Sequence, residues 1–226
     1  MNEVLEKRHL ALLVCFAVRE EATPGLPLPP VHGGREALIT GMGRRNASTR
    51  FLQALNRLSP DRVITCGFAG ALNRDFEIGD VLFDEDFDTG FGETLRGLGA
   101  MPAKFHCSTR VAVTIAEKAE LRRTTDADAV EMESSVIRTL CRERQIPSAT
   151  LRVISDTAHE DLPLDFNALM TSEQRVSMLK LTGALLRSPG SVRHLLVLQR
   201  NTRFAARRLA HVLHGLLRSL GGAGRC

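Results

Sequence analysis

The chain has 226 residues, with 30 lysines and arginines against 26 aspartates and glutamates, for a formal charge of +4. This length can bury a core without disulfide or metal staples and fits one generous domain or two small ones. Tryptophan and tyrosine are absent and all ten aromatics are phenylalanine, which argues against a nucleic-acid reader that stacks bases on several aromatic platforms.

The first element is the apolar run "HLALLVCFAV" (9–18). Lys7 and Arg8 ahead of it imitate the start of a signal peptide, but Glu3 and Glu6 dilute the charge, and the run leads into "REEA" with no small-residue cleavage site. A buried strand is the better reading. Further strands are expected at "EALIT" (36–40), "RVITCG" (62–67), "DVLFDED" (80–86) and "ATLRVIS" (149–155), each a short apolar or β-branched run. Between them, "NASTRFLQALNRL" (46–58) places Phe51, Leu52, Leu55 and Leu58 on one helical face. "SSVIRTLCRERQI" (134–146) does the same with Val136, Ile137, Leu140 and Cys141, and Pro147 stops it.

Strands buried on both sides and separated by helices predict a three-layer α/β/α fold with a central, mostly parallel twisted sheet. The C-terminal part differs in charge. From Gln174 to Cys226 there is no acidic residue but ten lysines and arginines, and the rest of the chain is net acidic. Residues 1–188 are therefore read as an α/β domain and 189–226 as a basic amphipathic helical tail. Such a helix suits a peripheral contact with an anionic membrane, or packs its apolar face on the core or on a partner copy. No run reaches the length of a membrane span.

The five cysteines, Cys15, Cys66, Cys107, Cys141 and Cys226, are spread out and contain no CxxC pair. Zinc-site spacing is missing, no metal or cofactor is expected, and a reducing cytoplasm fits best.

In open α/β sheets ligands gather beyond the carboxyl ends of the strands. The strand exits here read "REEA", "GMGRRN", "GFAGAL" and "DTAHED", all rich in glycine or acid. Gly41 and Gly43 would let the backbone approach a ligand, or would simply make the turn. "VEME" (130–133) sets Glu131 and Glu133 around Met132 at a helix start, where acids complement the helix dipole. Asp156, at a strand end in "SDTAHED", reads as a helix or turn cap.

The ordered series Gly41-Met42-Gly43, Cys66-Gly67-Phe68-Ala69-Gly70-Ala71-Leu72, Ile78-Gly79-Asp80-Val81, Val130-Glu131-Met132-Glu133 and Ile154-Ser155-Asp156 resembles the nucleoside phosphorylase and nucleosidase superfamily. The likeness is greatest to its 5′-methylthioadenosine/S-adenosylhomocysteine nucleosidase branch and runs over residues 10–172. It implies cleavage of the N-glycosidic bond of a purine nucleoside, with release of adenine from a 5′-substituted adenosine. Glu133 would grip the ribose hydroxyls over Met132, Asp156 would protonate N7 of the base, and Glu21, with Glu20 as rival, would activate water. Glu131 would be the less critical acid. Gly43, Ala69, Gly70 and Ser155 would line the substrate, and Phe68 or Phe105 would stack on the base. A homodimer is implied as well.

The chemistry gives three carboxylates separate work: one neutralises the leaving base, one fixes the sugar, and one delivers the nucleophile. Asp156 is expected to hold a proton through burial, and Glu21, more exposed, to stay ionised. A phosphorylase of this superfamily would need an anion site near Thr65 and Phe68, neither of which holds a dianion strongly, though Arg44 and Arg45 stand beside the glycine turn. The string "SDTAHEDLPLDFNAL" and the tail also resemble the hopanoid-associated phosphorylase branch, which implies phosphorolysis of an adenosyl-lipid. A non-catalytic nucleoside-binding module is the remaining alternative.

Overall fold

A computed structural model describes residues 7–29, 31–86, 89–169, 171 and 191–222. In chain order the elements begin with β1 (Arg8–Leu10), β2 (Leu12–Phe16), α1 (Arg19–Ala22), a 3₁₀ turn (Thr23–Gly25), β3 (Arg35–Ile39), α2 (Gly43–Arg57), β4 (Leu58–Pro60), β5 (Val63–Ala71) and β6 (Val81–Glu85). There follow α3 (Gly92–Gly97), β7 (Met101–Pro102), β8 (Phe105–Cys107), α4 (Ile115–Thr125), β9 (Ala129–Glu131), α5 (Ser134–Arg142), β10 (Ser148–Asp156), α6 (Phe166–Leu169) and α7 (Ser191–Gly222).

The main sheet runs β3-β2-β5-β10-β6-β7. Its four-strand centre, β3, β2, β5 and β10, is parallel, while β6 lies antiparallel to β10. Beyond this path, β9 pairs antiparallel with the end of β5 through Gly70 and Ala71, and β8 pairs with β9. The α/β class with a mostly parallel sheet is the one read from the strand pattern.

Alternation along β2 shows how the layers form. Leu12, Val14 and Phe16 join one core cluster with α7 residues, whereas Leu13 and Cys15 join another with Phe51, Ala54 and Leu55 of α2 and Ile137 and Cys141 of α5. A period of two thus feeds two faces, and helices cover both.

Several boundaries differ from the expectation, among them the start of α2 at Gly43 rather than 46. The first apolar run is not one strand: at Ala11 the N–H donates to the carbonyl oxygens of Gly33 and Gly34, so β1 pairs with β4 in a separate two-stranded sheet while β2 enters the main one. The helix at 134 ends at Arg142 rather than 146, because the turn that follows puts Gln145 at φ 55°. "GFAGAL" is mostly strand rather than strand exit, since β5 continues to Ala71.

The expected basic tail is the helix α7, and the stated boundary at 188 lies outside the described residues. Ala205, Leu209, Val212, Leu213, Leu216 and Leu217 are buried in the cluster formed with β2, β5, β6 and β10. Burial of a leucine or valine side chain is worth roughly 1.5–3 kcal/mol, so this half of the helix belongs to the core of the sheet. The opposite face keeps its arginines in solvent, with Leu196 61% and Phe204 52% exposed beside them. Among the described residues no helix is long and apolar enough to cross a membrane.

Candidate active site

The carboxyl ends of β2, β5 and β10, together with the start of α5, converge on one cavity of about 270 Å³. Glu21, Met132, Glu133, Phe68, Ala69, Gly70, Ser155 and Asp156 all line it.

Glu21 sits in α1, four residues past Ala17 at the exit of β2. Its Oε2 accepts the N–H groups of Ala17 at 2.9 Å and Val18 at 3.1 Å, and its Oε1 accepts that of Phe68 at 3.0 Å. The expectation of an exposed, freely ionised base fails here: Glu21 is 6% exposed, and burial raises its pKa despite the opposing N–H donors and the Arg152 charge. Glu20, the rival, is exposed and lies outside the cavity lining.

Two glycines in β5 make room for acids. A Cβ on Gly67 would stand 2.7 Å from Glu21 Oε1, and one on Gly70 would stand 2.9 Å from Asp156 Oδ2. A glycine inside a strand often marks such a close approach. Asp156 ends β10 and is 8% exposed. Ser155 Oγ donates to its Oδ1 at 2.9 Å, and Lys118 Nζ lies 2.7 Å from its Oδ2. Where a buried, protonated acid was expected, the structure thus supplies an ion-pair partner.

Glu131 and Glu133 part company. Glu131 is buried, receives the N–H groups of Glu133 at 2.9 Å and Ser134 at 2.7 Å and the Ser134 hydroxyl at 2.8 Å, and pairs with Arg152 Nη2 at 2.8 Å. Burial opposes its ionisation, but the guanidinium and these donors hold its pKa below the usual value. Glu133 faces the cavity, and its Oε1 accepts the N–H of Gly43 at 2.7 Å. Gly43 itself has φ 78°, the left-handed conformation that suits glycine. Burial first, then the negative charges of Glu131 and Glu21, push the Glu133 pKa up to about 7.

Phe105 packs beside Ala71, Leu82 and Ala129 in a core cluster and is not part of the cavity lining. Phe68 lines the cavity, joined by Phe166 from α6. Thr65 is buried within the sheet, its hydroxyl 3.3 Å from that of Thr150. Arg44 and Arg45 line a separate open groove along α2, which shares only Met132 with the cavity. Among the described residues no group of three or more His, Cys, Asp and Glu side chains is placed to hold a metal ion.

Sequence reasoning missed Lys118, Arg152, Phe166 and the two α7 residues that reach the cavity, Leu198 and Thr202. Arg152 carries a signal in retrospect, a lone cation in the apolar run "TLRVIS". Lys118, in the charged helix "AEKAEL", carries none.

The model of the phosphorylase superfamily matches residues 31–103 and 92–187 of the chain. The 5′-methylthioadenosine/S-adenosylhomocysteine nucleosidase of Staphylococcus aureus (strain JH9) is 26% identical over 171 residues, covering 60% of this chain and 75% of that relative. Among solved structures, futalosine hydrolase of Helicobacter pylori has a TM-score of 0.64 at 18% identity and covers 93% of this chain and 98% of its own. The Colwellia psychrerythraea 5′-methylthioadenosine/S-adenosylhomocysteine nucleosidase, solved in complex with adenine, has a TM-score of 0.64 at 16% identity, with 96% and 98% covered. The family match takes in the α2 glycine turn, the β5 glycines and the acids at 133 and 156, and on that match the chain belongs to the phosphorylase superfamily.

Proposed function

We propose that this chain is a purine nucleosidase that hydrolyses the N-glycosidic bond of a 5′-substituted adenosine and releases adenine. The observation that carries this reading is the meeting of Glu21, Glu133 and Asp156 around one cavity. Asp156 passes a proton to N7 as the C1′–N9 electron pair withdraws into the base. Glu133 holds the ribose hydroxyls above Met132. Glu21 takes a proton from the water whose oxygen bonds to C1′. Gly43 orients Glu133, Ala69 and Gly70 border the base, and Phe68 or Phe166 covers its face. The names of the relatives above, two nucleosidases and a futalosine hydrolase, support the reaction class.

Hydrolysis is favoured over phosphorolysis by how the backbone donors are used. The N–H groups of Ala17, Val18 and Phe68 would cradle an anion, yet all three are committed to the Glu21 carboxylate. The test is adenine release from 5′-methylthioadenosine with and without phosphate. Release in both, and its loss in Asp156→Asn, is the expected result, and an absolute need for phosphate would overturn hydrolysis.

A phosphorylase acting on an adenosyl-lipid is the second reading, and one observation favours it. Phe166, Leu198 and Thr202 border both the cavity and a neighbouring groove of about 680 Å³, whose walls include Pro24, Leu195, Leu196 and Ala206. An apolar 5′ substituent would fit there. The solvent face of α7, with Leu196, Val197 and Phe204 among Arg193, Arg200, Arg203 and Arg207, supports peripheral contact with an anionic membrane. Co-sedimentation with anionic vesicles, abolished by Leu196→Ser with Phe204→Ser, checks that contact. A homodimer seated over the α2 groove would close the Met132 side of the site, and analytical ultracentrifugation checks it.

A further inference from the structure

Lys118 is an unusual residue to find in the core. It comes from α4, its side chain is 1% exposed, and its Nζ lies 2.7 Å from Asp156 Oδ2. The same nitrogen donates to the carbonyl oxygens of Thr157 at 2.6 Å and Glu160 at 3.1 Å. An ammonium has three donors and no acceptor, and here it meets three oxygens. Stability alone does not explain such a residue, because a buried ion pair is often no better than a well-packed apolar replacement. What the arrangement does provide is a fixed positive charge behind the acid that faces the leaving base.

We propose that Lys118 is a positioning residue for the glycosidic cleavage. It anchors Asp156 against the base and stabilises the carboxylate that Asp156 becomes once its proton has moved to N7. This rests on the nucleosidase reading given above. The step balances: the proton leaves Asp156 for N7, the C1′–N9 electron pair goes to the base, and the negative charge left on Asp156 lies beside the Lys118 ammonium. Ser155 completes the device. Its hydroxyl lies 2.9 Å from Asp156 Oδ1 and 3.4 Å from the carbonyl oxygen of Ala69. Turned to Ala69, it leaves Oδ1 free to hold the proton, and turned to Asp156 it stabilises the carboxylate. Lys118 and Ser155 thus grip different oxygens of one acid, with Oδ2 held by the ammonium and Oδ1 left to carry the proton. The state with most to gain is the product state, in which the base bears a proton and Asp156 a charge.

The test measures adenine affinity by calorimetry for four proteins: wild type, Lys118→Met, Asp156→Asn and the double variant. Lys118→Met is expected to weaken adenine binding about tenfold or more, the scale of a lost charge-assisted contact. In the Asp156→Asn background the same change is expected to cost less than about twofold, since the partner it acts through is gone. Lys118→Arg, which keeps the charge, should recover part of the loss. Unchanged affinity in Lys118→Met, or an equal loss in both backgrounds, overturns the inference, the second outcome marking a purely structural residue. Should Lys118→Met fail to fold, Lys118→Gln, an uncharged side chain that keeps hydrogen-bond donors, takes its place in the same cycle. A wild-type protein that binds adenine but releases none from a nucleoside overturns the nucleosidase reading, and the four affinities then still decide the role of Lys118. A wild-type protein that does not bind adenine overturns both.

Discussion

Glu131 and Glu133 stand two residues apart at one helix entrance, yet the fold treats them in opposite ways. Glu131 is turned inward onto Arg152 and the first N–H groups of α5, which hold its pKa down against burial. Glu133 meets one backbone donor and the cavity, and burial together with the nearby charges of Glu131 and Glu21 lifts it to about 7. The composition of the stretch is the same for both, so the partners decide. One acid builds the helix entrance, and the other is kept available to a ligand. The same contrast recurs at the two ends of the cavity, where Asp156 has a lysine against it and Glu21 has only N–H donors and a more distant guanidinium.

The sharpest way to break this comparison is to remove the cation that Glu131 depends on. Arg152→Met would leave Glu131 charged, buried and unpaired, and is expected to cost about 3–5 kcal/mol of stability. Urea unfolding would read this as a lower midpoint. A wild-type midpoint would mean that the backbone donors alone hold Glu131. The next largest effect lies in β5. Gly70→Ala puts a methyl group against Asp156 Oδ2, and Gly67→Ala puts one against Glu21 Oε1. Displacing either acid by about an ångström is expected to cost about 100-fold in kcat. Neither Glu131 nor Glu133 has such a glycine opposite it, so these two substitutions act at the far acids of the cavity and leave the helix entrance as it is.

These distinctions explain what could be read in the chain before folding. The parallel sheet was legible because β2, β5 and β10 are apolar runs of strand length. Glu21 and Asp156 are legible as acids at strand exits, where α/β folds place their ligands, Glu133 as an acid at a helix start, and their separate roles through the family resemblance. The sequence reads "GFAGAL" as a strand exit, since small residues serve an exit or a close approach inside a strand, and only the position of the two carboxylates tells which. Lys118 was illegible for a different reason. Glu117 and Glu120 beside it look like a solvated helix face, and its burial comes from the Thr157–Glu160 loop folding over α4, a contact between residues about 40 apart. The start of α4 did carry a readable signal: Thr114 and Glu117 form a capping box, with the Glu117 N–H donating to Thr114 Oγ1 at 3.1 Å and the Thr114 N–H to Glu117 at 3.1 Å. It lay in the stretch 87–127, where no strand pattern stood out.

The two helix-entrance acids can also be separated without activity. A carboxyl whose folded pKa lies above its unfolded value binds its proton more tightly when folded. The stability it lends is fully present below the unfolded pKa and is lost as pH rises through the folded one. For Glu133 the window runs from 4.5, the ordinary value for a glutamate, to about 7. Glu133→Gln is therefore expected to match wild type below that window and to be more stable above it, by about 2 kcal/mol at roughly 1.4 kcal/mol per unit once screening at the cavity mouth is allowed for. Thermal melts at the two ends of the window check the sign, and a variant less stable than wild type at alkaline pH would show that Glu133 is needed as a charge in the fold.

Ser134→Ala gives the smallest effect and the most selective one. Its hydroxyl donates to Glu131 at 2.8 Å and is not part of the cavity lining. Losing that bond while Glu131 keeps Arg152 and two backbone donors should cost about 1 kcal/mol, seen as a lower Tm, with kcat and KM unchanged. If kcat fell with stability, Glu131 would be acting on the reaction through Glu133, and the division between the two acids would be one of degree.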